Sequence, residues 1–146
     1  AWMLKFKLRK LSRTPSLLTQ MGFLQSGLTA TTTAQLSLCT HLSQLSRFEN
    51  SLSDPIPSEL GPLKSLQYLD LGNNFLNGSL PDSIFNCTSL LGIAFTFNNL
   101  TGRIPSNIGN LVNATQILGY GNNLVGSIPL SIGQLGALRA LDFSQN

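Results

Sequence analysis

The chain has 146 residues, enough for one domain with a buried core. Charged residues make up only 10% and hydrophobic ones 42%, whereas an ordinary soluble domain is about 25% charged. Asn, Ser, Thr and Gly replace the missing charge, which excludes a disordered polyelectrolyte, a coiled coil and a charge-laced helical bundle.

The formal net charge of +3 is concentrated at the start of the chain. Lys5, Lys7, Arg9, Lys10 and Arg13 supply five of the nine basic residues. From residue 14 onward four basic residues (Arg47, Lys64, Arg103, Arg139) stand against six acidic ones. The body is therefore not basic and gives no reason to expect a nucleic-acid partner. No apolar run reaches the 18 or so residues of a membrane helix.

Residues 1–35 form a segment of their own. Basic residues, a moderately apolar Leu17–Leu28 and small Thr32-Thr33-Ala34 follow the order of a secretory leader. Thr19, Gln20, Gln25 and Ser26 interrupt the apolar core. The segment reads better as a degraded first repeat, with Met21, Phe23, Ser26 and Leu28 in repeat positions, or as sequence of non-native origin.

From residue 36 to residue 146 a 24-residue period dominates. Asn50, Asn74, Asn98, Asn122 and Asn146 recur at that spacing. Leu52, Leu76, Leu100 and Leu124 follow two positions later, then Gly78, Gly102 and Gly126, then Ile56-Pro57, Leu80-Pro81, Ile104-Pro105 and Ile128-Pro129. The unit reads L-x-x-L-x-L-x-x-N-x-L-x-G-x-I-P-x-x-I-G-x-L-x-x, as in LQYLDLGNNFLNGSLPDSIFNCTS. About five units are present. Arg47 at an inward strand position and Asp54 at the Gly position are local departures, and the last unit stops at Asn146 without a polar cap. Because solenoid ends need caps, an excerpt of a longer solenoid is expected.

Each column has a physical reading. The L-x-L pair (Leu69 and Leu71, Ile93 and Phe95, Leu141 and Phe143) has period two, which predicts one short strand per repeat with both apolar side chains inward. Stacked repeats then form a parallel sheet. The ladder residues Asn50, Asn74, Asn98, Asn122 and Asn146 can both donate to and accept from backbone groups where the chain turns inward. Gly permits a conformation closed to other residues, and Pro ends strand pairing.

Cys39 and Cys87 are two repeats apart, roughly 10 Å in a stack of strands about 4.8 Å apart. That exceeds the reach of a disulfide, about 7 Å between Cα atoms, so both read as small hydrophobes in a Leu column. His41 shares a column with Ser65, Ser89, Asn113 and Ala137 and reads as solvent-facing, not as a ligand or a base. Asn77, Asn86, Asn99 and Asn113 lie in N-x-S/T sequons and are candidate glycosylation sites. Nothing points to a metal or a cofactor.

The outward strand positions form four columns on the concave face. They run Gln44, Tyr68, Gly92, Gln116, Ala140; then Ser46, Asp70, Ala94, Leu118, Asp142; then Phe48, Gly72, Thr96, Tyr120, Ser144; and last Glu49, Asn73, Phe97, Gly121, Gln145. Phe48, Tyr68, Phe97 and Tyr120 are aromatics on an otherwise small and polar surface, suited to low-entropy contact with a partner. Candidate binding residues are Phe48, Glu49, Tyr68, Asp70, Asn73, Thr96, Phe97 and Tyr120. Five strands underlie roughly six residues of an extended peptide. Asp70 and Asp142 lie three repeats apart, roughly 14 Å, too far for paired glycosidase carboxylates at about 5–9.5 Å. The chain does not read as an enzyme.

The repeat resembles the 24-residue plant extracellular leucine-rich repeat, whose N-x-L-x-G-x-I-P segment is the subtype signature. That resemblance implies an α/β leucine-rich-repeat solenoid, part of a horseshoe, with one short parallel strand per repeat and an irregular or 3-10 convex side. Residues 63–105 and 120–146, including the unusual I-x-F strand at Ile93 and Phe95, most resemble early repeats of flagellin-sensing plant receptor kinases. This implies the outer face of the plasma membrane, a flagellin-derived peptide ligand in plant innate immunity, and a co-receptor kinase. A secreted polygalacturonase-inhibitor-like protein, a receptor for another peptide and an architectural spacer are the alternatives.

Overall fold

The computed structural model describes the backbone of residues 20–22, and residues 41–46 and 51–146 in full. Phe48, Glu49 and Asn50, together with Cys39, Arg47 and most of the segment 1–35, lie outside the described residues.

Six short strands pair in parallel in one sheet: β1 (Gln20–Gly22), β2 (Gln44–Ser46), β3 (Tyr68–Asp70), β4 (Gly92–Ala94), β6 (Gln116–Leu118) and β8 (Ala140–Asp142). Every pairing is offset by one whole repeat, as in Leu45 with Leu69 and Ile93 with Ile117. β1 joins β2 at that same offset, Met21 with Leu45. The ladder runs on beyond the strand ends: Leu71 N donates to Ala94 O at 2.8 Å and Phe97 N to Tyr120 O at 2.9 Å.

The opposite side carries 3-10 turns at Ser58–Leu60, Asp82–Asn86, Ser106–Asn110 and Leu130–Gln134, each entered through a proline in the extended region. Its fixed φ and missing N–H suit Pro to that entry. The architecture is the solenoid expected from the period. A feature not expected is a second small sheet after the ladder Asn, where β5 (Thr101–Gly102) pairs with β7 (Asn123–Leu124). Isolated bridges Pro55–Asn77 and Ser79–Thr101 continue it. Its partners are 22 residues apart, not 24, and Gly78, Gly102 and Gly126 take φ of 73°, 80° and 87° there. Only glycine adopts that conformation cheaply.

Between the two sides lies one core, built from the Leu and Ile columns plus Phe85 and Phe95. The ladder Asn side chains are the polar exception. Asn98 Oδ1 accepts from Leu76 N at 2.9 Å, while Nδ2 donates to Phe95 O, Thr96 O and, one repeat back, Leu71 O. Asn74, Asn122 and Asn146 repeat the scheme on Leu52 N, Leu100 N and Leu124 N. Cys87 is buried, its thiol donating to Gly61 O at 3.0 Å, and burial pushes the thiol up to about 11.

At residue 119 the inward column holds Gly where its neighbours hold Phe95 and Phe143. A Cβ there would lie 2.4 Å from Phe95 and 2.6 Å from Phe143, whose rings meet over it with centroids 6.0 Å apart. The glycine is the space that two large rings occupy. Replacing it by Leu, the residue at the same position after β3 (Leu71), should overpack the core and cost about 1–3 kcal/mol. Asn98→Ala strands several buried backbone groups and should cost about 3 kcal/mol. Urea midpoints of the two variants check both, and an unchanged midpoint for Asn98→Ala contradicts a stabilising role for the ladder.

Candidate functional site

The outward strand positions form a continuous surface on the six-stranded sheet. Tyr68 and Phe97 are each 46% exposed on it, and Tyr120 is half-buried. Phe97 and Tyr120 meet edge to face, with centroids 4.9 Å apart and planes at 84°, the geometry that aromatic quadrupoles favour. Tyr68 and Phe97 each lean onto a glycine one repeat further on. A Cβ on Gly92 would lie 3.1 Å from Tyr68, and one on Gly121 would lie 2.6 Å from Phe97. The rings therefore rest on bare backbone and are held in place, not waving in solvent.

The position before each described ladder Asn is left-handed: Asn73, Phe97, Gly121 and Gln145 have φ of 50°, 48°, 69° and 55°. Asn and Gly suit that conformation, but an aromatic residue there is unusual. Such outliers concentrate at functional sites. Asp70 and Asp142 occupy the ends of β3 and β8. Asp70 Oδ1 accepts from Gly72 N at 3.0 Å, and Asp142 Oδ1 from Ser144 N at 2.9 Å. The Ser144 backbone N–H, helped by its hydroxyl, holds the Asp142 carboxyl below the usual carboxylate range. Neither carboxylate is paired with a cation among the described residues.

The structure thus brings Tyr68, Asp70, Asn73, Phe97 and Tyr120 onto one face. Thr96 departs from expectation: it is only 5% exposed, at the point where the chain turns inward and its carbonyl accepts from Asn73 N and Asn98 Nδ2. Phe48 and Glu49 fall outside the described residues. Gly92 and Gly121 were missed as positioning residues, although the signal was present: an aromatic residue followed one repeat later by glycine, at Tyr68/Gly92, Phe95/Gly119 and Phe97/Gly121.

The four sequon residues are exposed and lie off the four concave columns. Asn77 Nδ2 donates to Ser53 O, Asn113 Nδ2 to Thr88 O at 3.0 Å, and Asn86 Oδ1 accepts from Asn107 and Asn110 at 3.4 Å. Among the described residues no group of His, Cys, Asp and Glu could hold a metal ion, and no helix is long and apolar enough to cross a membrane.

A sequence profile described as Leucine Rich Repeat matches residues 65–87. The chain is a leucine-rich-repeat solenoid. Solved structures similar to this solenoid include ectodomains of plant receptor kinases. One is the ectodomain of the membrane receptor kinase GASSHO1/SCHENGEN3 from Arabidopsis thaliana in complex with CASPARIAN STRIP INTEGRITY FACTOR 2. It is 34% identical with a TM-score of 0.81, over 92% of this chain and 16% of that one. A second is the plant peptide hormone receptor RGFR1 in complex with RGF2, at 30% identity and TM-score 0.82, over 94% of this chain and 22% of that one. A plant ice-binding protein is also similar, with 25% identity and TM-score 0.75 over 88% of this chain and 49% of that one. Among curated proteins none matches significantly. The solenoid thus spans less than a quarter of either receptor ectodomain. One scaffold serves such different tasks that function must be argued from the face itself.

Phe97 carries backbone strain of about 1–2 kcal/mol and gains about 0.5–1.5 kcal/mol from its ring contact. Phe97→Asn should therefore leave stability within about 1 kcal/mol of the parent, whereas truncating a buried Phe costs about 3–5 kcal/mol. A denaturant melt distinguishes the two, and a loss of core size shows that Phe97 is structural.

Proposed function

We propose that this solenoid is part of the extracellular ligand-recognition region of a plant pattern-recognition receptor kinase. It reads a peptide laid across its concave sheet, at the outer face of the plasma membrane. The observation that carries the reading is the set of exposed, pre-positioned aromatics, Tyr68 on Gly92 and Phe97 on Gly121 beside Tyr120. Holding large rings still before binding lowers the entropy cost of contact. The similar receptors in complex with CASPARIAN STRIP INTEGRITY FACTOR 2 and with RGF2 support recognition of a ligand by this scaffold.

For the ligand itself, the resemblance of residues 63–105 and 120–146 to flagellin-sensing receptors favours a flagellin-derived peptide in innate immunity. Signalling then requires a co-receptor kinase and parts of the receptor outside these repeats. Glycans at Asn77, Asn86, Asn99 and Asn113 would leave the concave columns clear. The role is recognition, without catalysis.

Calorimetric titration of a flagellin-derived peptide tests this, with Tyr68, Phe97 and Tyr120 changed together to Ala. The triple variant should bind at least about tenfold more weakly. Unchanged affinity removes the concave face from the binding site. No binding by the parent, with inhibition of a polygalacturonase, selects the secreted-inhibitor alternative.

A further inference from the structure

Along the sheet, one concave column reads Ser46, Asp70, Ala94, Leu118, Asp142 on β2, β3, β4, β6 and β8. From Asp70 to Asp142 it is acidic at both ends and apolar between. The four concave columns together contain no Lys or Arg. The body's described cations, Lys64, Arg103 and Arg139, are exposed on other parts of the surface. Each carboxylate is anchored through one oxygen to a backbone N–H, which fixes its position, and neither has a cationic partner among the described residues. Tyr68 stands beside Asp70 on β3, and Phe97 and Tyr120 flank the apolar middle of the column by register.

Three strand steps of about 4.8 Å separate the two aspartates by roughly 14 Å, while an extended peptide advances about 3.3 Å per residue with alternate side chains on one face. Residues i, i+2 and i+4 of such a peptide therefore match the column: ends over the carboxylates, middle over Ala94 and Leu118. We infer that the concave face is built for an extended peptide bearing two cationic side chains four residues apart, with an apolar side chain midway. This rests on the peptide reading above and adds its charge and spacing. A Lys or Arg over Asp70 also meets the Tyr68 ring, whose face attracts cations.

The probes are three capped heptapeptides with the pattern Gly-X-Gly-Leu-Gly-X-Gly, X being Lys, Gln or Glu, and a fourth with the two Lys moved next to the Leu. Binding to the chain is followed by the aromatic proton shifts of Tyr68, Phe97 and Tyr120. The four-apart Lys peptide should bind roughly tenfold tighter than the Gln peptide and several-fold tighter than its closer-spaced isomer, with Glu weakest. Its advantage should shrink as NaCl rises from about 0.05 M to about 0.5 M, where screening is strong. Asp70→Asn with Asp142→Asn keeps the anchoring acceptors and should erase the Lys preference without changing the melt. Equal binding of the Lys and Glu peptides overturns the cation assignment. If a flagellin-derived peptide still binds in that case, the recognition reading stands alone. If no peptide of any charge binds, both readings fall.

Discussion

The structure depends on one side chain repeated at fixed intervals. After each strand the chain turns inward, so backbone N–H and C=O groups lose water and need partners. The ladder Asn supplies them from a single amide: its oxygen takes a backbone N–H of the preceding repeat, and its nitrogen serves carbonyls of its own repeat and the one before. Leu in that position would fill the space and satisfy nothing. The residue before the Asn must be left-handed to aim it inward, which explains why Asn73, Phe97, Gly121 and Gln145 share that conformation. The strain at Phe97 follows from the ladder and is held by it.

On that frame the aromatic residues are placed by absence as much as by presence. Tyr68 and Phe97 lie on glycines of the next repeat, and Phe95 with Phe143 closes over Gly119. Inside, the device fills the core; outside, it yields rings that are exposed yet fixed. The same economy applies to Asp70 and Asp142, whose carboxylates brace the strand ends and still present negative charge outward.

Much of this was legible beforehand because a solenoid makes period and geometry almost the same thing. The strands and the inward Leu columns follow from spacing alone, as does the outward placing of Tyr68, Asp70, Asn73, Phe97 and Tyr120. What did not follow is whatever depends on the neighbouring repeat's actual side chains. Thr96 counts as outward by column but is buried, since exposure is set by what stands on either side. The small sheet of β5 and β7 was hidden because Gly and Pro in that segment argue against pairing, although Gly102 and Pro55 themselves take part in it. The glycine partners of the aromatics are visible only as a correlation between adjacent repeats, which no single column carries.

The ladder is indifferent to repeat order, since any unit carrying Asn in register can follow any other. The aromatic–glycine contacts are not. On the concave face they point one way along the stack, from a ring to the glycine after it, as Tyr68 to Gly92 and Phe97 to Gly121. Excising residues 92–115 would keep the ladder intact yet set Tyr68 against Gln116 in place of Gly92. The units are therefore interchangeable as bricks but not as letters: they can be shuffled without losing the wall, and only one order spells the surface.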